Sequence, residues 1–208
     1  MYHIIYTGED TYFWTDKGGT GKTNNALATK HRLDERGYHH VIMTNQKRTL
    51  LNRVLEDGQE LFILRKGLEL PHVKTRKIFD LEGHAEDPFI LEVIKNCPKA
   101  IVPTIAELSE IQLCIYSILE IQKYNPQAKI LVLANRIKND EQFELIESQI
   151  KKIGNFPIIR VNESRALPNM YIEKKSLKQM MDESGLSKWN YRHIHEAYNQ
   201  ITDFIINN

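Results

Sequence analysis

The sequence predicts an α/β fold: a doubly wound, mostly parallel sheet with helices on both faces. Three observations predict it. Short runs rich in β-branched, aromatic and aliphatic residues alternate with helical runs along nearly the whole chain, the order that a parallel sheet with crossover helices requires. A glycine-rich segment at residues 16–23, DKGGTGKT, joins an early strand to the helix that follows it. Polar residues, Asp80 and Asn135 among them, stand where later apolar strands run out. In open sheets of this kind the chemistry gathers at the carboxyl ends of the strands.

Residues 1–6 alternate enough to be an extra leading strand, and residues 7–10 (TGED) read as the turn feeding the next one. Residues 11–15 (TYFWT) are aromatic and β-branched and predict the strand before the glycine segment. The helix after it, opening near Asn24 and Asn25, takes an apolar side from Ala26, Leu27, Ala28 and Leu33 and stops at Gly37. Residues 40–44 (HVIMT) predict a second buried strand. Residues 52–73 are harder to place: 61–64 are apolar enough for a strand, and 67–71 look like loop. A clearer strand, starting at Lys77, emerges into Asp80 three residues before Gly83.

Residues 88–96 predict a helix with Phe89, Ile90, Val93 and Ile94 on its apolar side, and 99–103 the next strand. A helix over 107–124 places Leu108, Ile111, Ile115, Ile118, Leu119 and Gln122 at three-to-four spacing, which predicts a core-facing stripe. The strand at 129–134 ends in Asn135 and Arg136. A helix over 140–152, a strand at 156–161 and a loop at 162–169 follow. Leu177, Met180 and Met181 fit one further helix; Ile194, Ala197, Tyr198, Ile201, Phe204 and Ile205 line the last. The polar face of that last helix carries almost no Lys or Arg, which predicts core packing rather than anchoring at a membrane surface.

With 208 residues, 41% apolar and 26% charged, the chain predicts one domain over 1–208 with a full hydrophobic core. Its 28 basic and 27 acidic side chains nearly cancel, so composition announces no strongly basic nucleic-acid binder and leaves room only for a local patch. Cys97 and Cys114 are far apart and offer neither a disulfide framework nor metal-ligand spacing. His193 and His195 face different sides of a helix and predict no metal site. No basic leader opens the chain and no run of about 18 apolar residues occurs, so a cytoplasmic protein without a membrane span is expected.

Strand, glycine loop, then helix is the context a phosphate-binding loop requires. Glycines let backbone N–H groups close around phosphate oxygens, Lys22 reaches the β- and γ-phosphates, the Thr23 hydroxyl can ligate Mg²⁺, and the helix N-terminus adds a favourable dipole. A carboxylate at a strand end on the same edge, Asp80, is where a ligand to magnesium-bound water belongs. Read alone, Asp80 also fits an aspartate opening an ordinary turn. Glu82 and His84 follow closely enough to sense a γ-phosphate or a water.

The loop departs from G-x-x-x-x-G-K-T, because Asp16 stands where the first glycine would, and it carries a second lysine, Lys17. In this it resembles the deviant Walker A box of the ParA/MinD family of P-loop ATPases, which includes plasmid and chromosome partition proteins. The resemblance implies the P-loop nucleotide-hydrolase fold, with ATP and Mg²⁺ on Lys17, Gly18, Gly19, Thr20, Gly21, Lys22 and Thr23. Asn24 would supply a further polar contact where the family usually has threonine. Lys17 would reach across a nucleotide-sandwich homodimer to the partner subunit's phosphates. A second cation there would offset charge that one lysine and one Mg²⁺ leave uncompensated.

Asp80 resembles the family's Walker B aspartate. Asn135 and Arg136 resemble its base-binding Asn-Lys/Arg pair, since an amide offers the donor and acceptor that match an adenine edge; an asparagine opening a loop reads the same way. The 162–169 loop resembles the family segment that closes over the base. In the family the second strand ends in an aspartate that helps place the attacking water, and here Asn45 takes that place, followed by Gln46 and Lys47. An amide orients water but is no carboxylate base, which implies slow hydrolysis or another water-positioning residue. Asn45 also fits as the cap of a helix starting near Lys47.

By resemblance, then, the chain is an ATPase and an ATP-dependent dimerisation switch in plasmid or DNA partition or positioning, with Lys17, Lys22 and Asp80 as its catalytic groups. The same resemblance implies nonspecific DNA binding, a centromere-binding ParB-like or other small DNA-binding partner, and a cytoplasmic or nucleoid-associated location. Lys174, Lys175, Lys178, Lys188 and Arg192 are the clustered candidates for DNA contacts, but their interleaved acids equally describe a solvated helix face. Two rivals stand beside this: a small-molecule synthetase or kinase using the same loop, and a weakly or non-hydrolysing ATP-binding adaptor in conjugation or positioning, which Asn45 favours. Two widely spaced cysteines disfavour an electron-transfer relative with a shared iron–sulfur cluster.

Overall fold

The computed structural model describes residues 6–16, 18–64 and 74–207. Seven strands form one sheet: β1 (Thr11–Phe13), β2 (His40–Thr44), β3 (Leu61–Ile63), β4 (Arg76–Asp80), β5 (Lys99–Thr104), β6 (Lys129–Ile137) and β7 (Ile158–Asn162). Their order across the sheet is β3-β2-β4-β1-β5-β6-β7, and every neighbouring pair is parallel. From β1 the chain winds first toward β2 and later toward β5, so the winding reverses beside β1. The crevice at such a reversal is where open α/β sheets take their ligands.

Both faces of the sheet are covered, which is why its strands read as continuous apolar runs. One face buries Phe13, Ile42, Ile78, Ile101 and Leu131 under α1 (Lys22–Glu35) and the carboxyl-terminal helices α5 (Ala166–Glu173), α6 (Leu177–Asp182) and α7 (Gly185–Asn207). The other buries Tyr12, Trp14, Phe79, Ala100, Val102 and Val132 under α2 (Pro88–Asn96), α3 (Leu108–Tyr124) and α4 (Asp140–Ile150). Successive residues of β1 and β4 serve opposite cores, as the two-residue period of a strand demands.

Local signals set most boundaries. Helix α1 ends in a Schellman turn: Gly37, at φ 83°, donates its N–H to Asp34 and Tyr38 donates to Leu33. Asp87 caps α2 by accepting from Phe89 and Ile90, with Pro88 at the first helical position. Ser176 and Gln179 form a capping box on α6. The turn at residues 7–10 closes as expected, with Asp10 accepting from the N–H and hydroxyl of Thr7.

Several expectations need correction. Leu108 and Leu119 do not line the core side of α3 but stand exposed at 62% and 48%; the buried stripe runs through Glu110, Ile111, Cys114, Ser117, Ile118 and Ile121. The segment read as loop to residue 169 turns helical at Ala166, because Pro168 falls in the first turn, where its missing N–H costs nothing. No helix starts near Lys47: a single 3₁₀ turn, Leu50–Arg53, is capped by Thr49, not by Asn45. The proposed strand at 1–6, apart from Tyr6, and the loop at 67–71 lie outside the described residues, as does Lys17. The last helix packs Ile194, Ala197, Tyr198, Ile201, Phe204 and Ile205 into the core, as its spacing predicts.

Candidate functional site

The glycine loop leaves the carboxyl end of β1 and delivers the chain into α1, whose first residue is Lys22. Gly19 and Gly21 both sit at φ 90°, in the left-handed region that glycine adopts freely. At Gly21 there is also no room for a side chain, since a Cβ would come within 2.4 Å of Asn135 Nδ2 and 3.1 Å of Asn25 Nδ2. Side chains from four elements hold this loop. From the end of β6, Asn135 Nδ2 donates to the carbonyl of Thr20 at 2.8 Å. Within α1, Asn25 Nδ2 donates to the carbonyl of Gly21 at 2.8 Å, and Tyr198 of α7 donates its hydroxyl to Asn25 Oδ1 at 2.6 Å. From α3, Ser117 Oγ accepts from the N–H of Asp16 at 3.1 Å.

Inside the loop Lys22 is buried, with Nζ 3.5 Å from the carbonyl of Thr15. Burial pushes its ammonium below the usual lysine range, against the attraction of Asp80, Glu82, Asp16 and Glu110. The hydroxyls of Thr15 and Thr20 meet at 3.1 Å.

Strand β4 pairs with β1 so that Phe13 lies opposite Asp80, which brings the Asp80 carboxylate beside the start of α1. Thr23 Oγ1 donates to Asp80 Oδ2 at 2.8 Å. The other oxygen, Oδ1, is buried and has no hydrogen-bond partner among the described residues. Burial raises the Asp80 pKa to about 6; the Thr23 bond and Lys22 pull it down, and Glu82 pushes it up. Thr23 and Asp80, chosen from sequence as the metal-holding pair, are thus in direct contact. A hydroxyl and a half-partnered carboxylate beside a buried ammonium form a site for a cation and an anion together, the pairing a magnesium-bound polyphosphate presents.

The ends of β2 and β4 are laced to each other. Thr44 Oγ1 donates to the carbonyl of Asp80 at 2.9 Å. Asn45 Nδ2 donates to the carbonyl of Glu82 at 2.7 Å, and Asn45 Oδ1 accepts from the N–H of Glu82 at 2.8 Å. Gln46 Nε2 donates to both Thr23 Oγ1, at 3.0 Å, and Asp80 Oδ2, at 3.1 Å. The loop beyond β4 is further fixed by Trp14 Nε1, which donates to the carbonyl of Gly83 at 2.9 Å, and by His84, whose Nδ1 lies 2.6 Å from Asp16 Oδ1.

The structure thus gathers Thr20, Gly21, Lys22, Thr23, Asp80 and Asn135 at one edge, with Gly18, Gly19 and the half-buried Asn24 on the same loop and helix start. Arg136 is exposed, at φ 55°, where β6 loses register with β7. The sequence gives no site role to Asn25 or Ser117, places Tyr198 only in the apolar stripe of the last helix, and offers Gln46 only as the residue after Asn45. Gln46 carried a faint signal, a second amide at a strand end opposite a carboxylate. Tyr198 lies 173 residues from Asn25 and Ser117 lies 101 from Asp16, so no local pattern points to either contact. Among the described residues no cluster of three metal-ligating side chains occurs, and no helix is long and apolar enough to cross a membrane.

A doubly wound parallel sheet with a glycine loop at the reversal, a buried lysine and a hydroxyl–carboxylate pair defines the P-loop nucleotide-hydrolase fold. Solved structures make the likeness more particular. The chain superposes on the MinD cell division protein of Aquifex aeolicus with a TM-score of 0.65 at 16% identity, over 92% of this chain and 95% of that one. An ATP complex of a McdA variant from Cyanothece matches at 0.68 and 11% identity, over 100% and 98%. A putative plasmid partition protein of Borrelia burgdorferi bound to AMPPNP matches at 0.60 and 12%, over 93% and 99%. At such identities the likeness establishes the fold. No family model matches the sequence, and no curated protein matches it either.

Proposed function

We propose that this chain is an ATP-dependent switch of ParA/MinD type, acting in the partition or positioning of a large cargo. The observation that carries the reading is the 2.8 Å contact between Thr23 and Asp80 beside the buried Lys22, at the end of β1. The likeness to MinD, McdA and partition proteins, two of them solved with ATP or AMPPNP, supports ATP as the ligand. The residues fit the magnesium complex: Asp80 Oδ1 is buried without a partner, and the loop carries two positive-φ glycines, one with no space for a Cβ.

In this reading Gly18 to Thr23 cradle the phosphates through their N–H groups, Lys22 neutralises charge on the β- and γ-oxygens, and Thr23 and Asp80 hold the magnesium shell. When bound, the metal would polarise the terminal phosphate. Asn135 braces the loop from the side where its sequence context resembles a base contact, and Arg136 stands exposed beside it. Lys17 is assigned the role that its place in the motif implies, contact with the partner subunit's phosphates in a face-to-face homodimer. Nonspecific DNA and a small DNA-binding adaptor complete the reading as partners.

One observation favours the adaptor variant with little or no hydrolysis. Both polar ends of Asn45 are committed to the backbone of Glu82, so this amide serves as a clasp between strand ends rather than as an aimed water ligand. Two experiments test the reading. Lys22→Ala should reduce ATP affinity at least about 100-fold by calorimetry, and near-wild-type affinity would sink the site. Lys17→Ala should leave ATP binding by the monomer in place while abolishing dimers in sedimentation with a non-hydrolysable analogue; dimers of undiminished strength would remove the role given to Lys17.

A further inference from the structure

The side chain of Gln46 stands where the proposed site needs a cation. Its Nε2 is a donor within hydrogen-bond distance of both Thr23 Oγ1, at 3.0 Å, and Asp80 Oδ2, at 3.1 Å, the two oxygens assigned to the magnesium shell. The geometry is self-consistent: Thr23 donates its single proton to Asp80 Oδ2, which leaves its lone pairs to accept from Gln46. An amide NH₂ is the neutral side-chain group that best presents concentrated positive potential to two oxygens at once.

The aim of Gln46 is built in. Its backbone N–H donates to Thr44 Oγ1 at 3.2 Å, and that hydroxyl donates to the carbonyl of Asp80 at 2.9 Å. Thr44 and Asp80 are register partners in the β2–β4 pairing, so the sheet itself fixes the base of the Gln46 side chain. Asn45, next door, is clasped to Glu82 on the neighbouring strand end. Lys47 and Arg48, immediately after, are exposed.

We propose that Gln46 is a placeholder for the magnesium ion: its amide occupies the Thr23–Asp80 oxygen pair in the metal-free protein and must withdraw when the metal binds. This rests on the reading of the site as one for a magnesium nucleotide. Two consequences follow. Metal loading carries a penalty set by the amide hydrogen bonds it replaces, and it frees the Gln46 side chain while the backbone bond to Thr44 and the Asn45 clasp stay in place. Occupancy at the metal thereby turns the Gln46 amide out of the site, beside exposed residues 47 and 48, without any rearrangement of the sheet.

The test is a calorimetric titration of MgCl₂ into ADP-loaded protein, with ADP affinity measured first in EDTA. Gln46→Met keeps the volume and removes both donors, and Gln46→Ala removes the side chain; Gln46 is only half-buried, so both should fold. Each should tighten Mg²⁺ binding by about 3- to 10-fold, the equivalent of losing one or two ordinary hydrogen bonds from the competing state. ADP affinity in EDTA should stay at the wild-type value. A side-chain amide resonance for Gln46 should also shift on adding MgCl₂ to the wild-type ADP complex. Unchanged or weaker Mg²⁺ binding in both variants, with ADP still bound, overturns the placeholder alone. Absence of ADP binding by the wild-type protein overturns the site reading beneath it.

Discussion

The carboxyl ends of β1, β2, β4 and β6 and the stretch from Lys174 to Arg192 are both rich in polar side chains, and they use them in opposite ways. At the strand ends Thr23 and Gln46 reach Asp80, Asn45 reaches Glu82, and Asn135 reaches Thr20, bonds that span 57, 34, 37 and 115 residues. In the basic stretch Lys175 pairs with Glu183 and Arg192 with Glu196, all four exposed and near in sequence. Bonds between distant residues form only when the sheet is assembled, and where one is buried, as between Asn135 and Thr20, leaving it unmade is costly, so together they favour a single arrangement. Exposed local pairs form with or without the rest of the fold and constrain little. Concentrated chemistry belongs to the first region, and the count of charges in the second says little about what it binds.

The sharpest way to break this contrast is at Gly21. Gly21→Ala must place a methyl where Asn135 Nδ2 and Asn25 Nδ2 already stand, on a backbone at φ 90°. Left-handed strain costs about 1–3 kcal/mol, and each displaced hydrogen bond about another 1 kcal/mol. A loss of roughly 3–5 kcal/mol in denaturant unfolding is expected, together with loss of nucleotide binding. A loss below about 1 kcal/mol would mean that the loop is not held as tightly as its bonds suggest.

The next effect is smaller and depends on pH. Asp80 titrates at about 6 in the folded protein against an ordinary carboxylate value of 3.8, because burial disfavours its charge. Between these values the unfolded chain has released a proton that the native chain retains, so raising the pH through the window from about 4 to about 6 lowers stability. The shift corresponds to roughly 3 kcal/mol, fully present as stability below pH 4 and lost above 6. Unfolding curves of the nucleotide-free protein should show this decline, and Asp80→Asn should flatten it. An unaltered slope in the variant would reassign the decline to other groups.

These effects explain how much could be read in advance. The strand–loop–helix pattern around residues 16–23, the apolar runs of the strands and the caps at Asp87 and Gly37 are local, and the sheet with its phosphate loop follows from them. Asp80 was legible because it ends an apolar strand. Leu108 and Leu119 misled because helical spacing reports an apolar stripe without saying which side meets the sheet; buried Glu110 and Ser117 lie on the side that does. The role of Gln46 depends on β2 and β4 becoming neighbours, and the bond from Tyr198 to Asn25 on α7 packing against α1; with partners 34 and 173 residues apart, local sequence leaves at most a faint sign of either.

The smallest effect belongs to the basic stretch, and it decides whether its charges are more than a solvated face. Lys175→Ala and Arg192→Ala each break an exposed pair, and Lys188→Ala removes an exposed cation. Changes at exposed positions away from the core leave stability close to that of the parent, so the triple variant should unfold near the wild-type midpoint and bind ATP with unchanged affinity. If this face holds DNA in the ATP-bound state, the same variant should lose nonspecific DNA binding in proportion to the phosphates it no longer contacts, with a shallower dependence on salt. An undiminished salt slope would move the DNA contacts elsewhere. A large stability loss would instead show that these exposed pairs are coupled to the core, and the contrast between the two regions would fail.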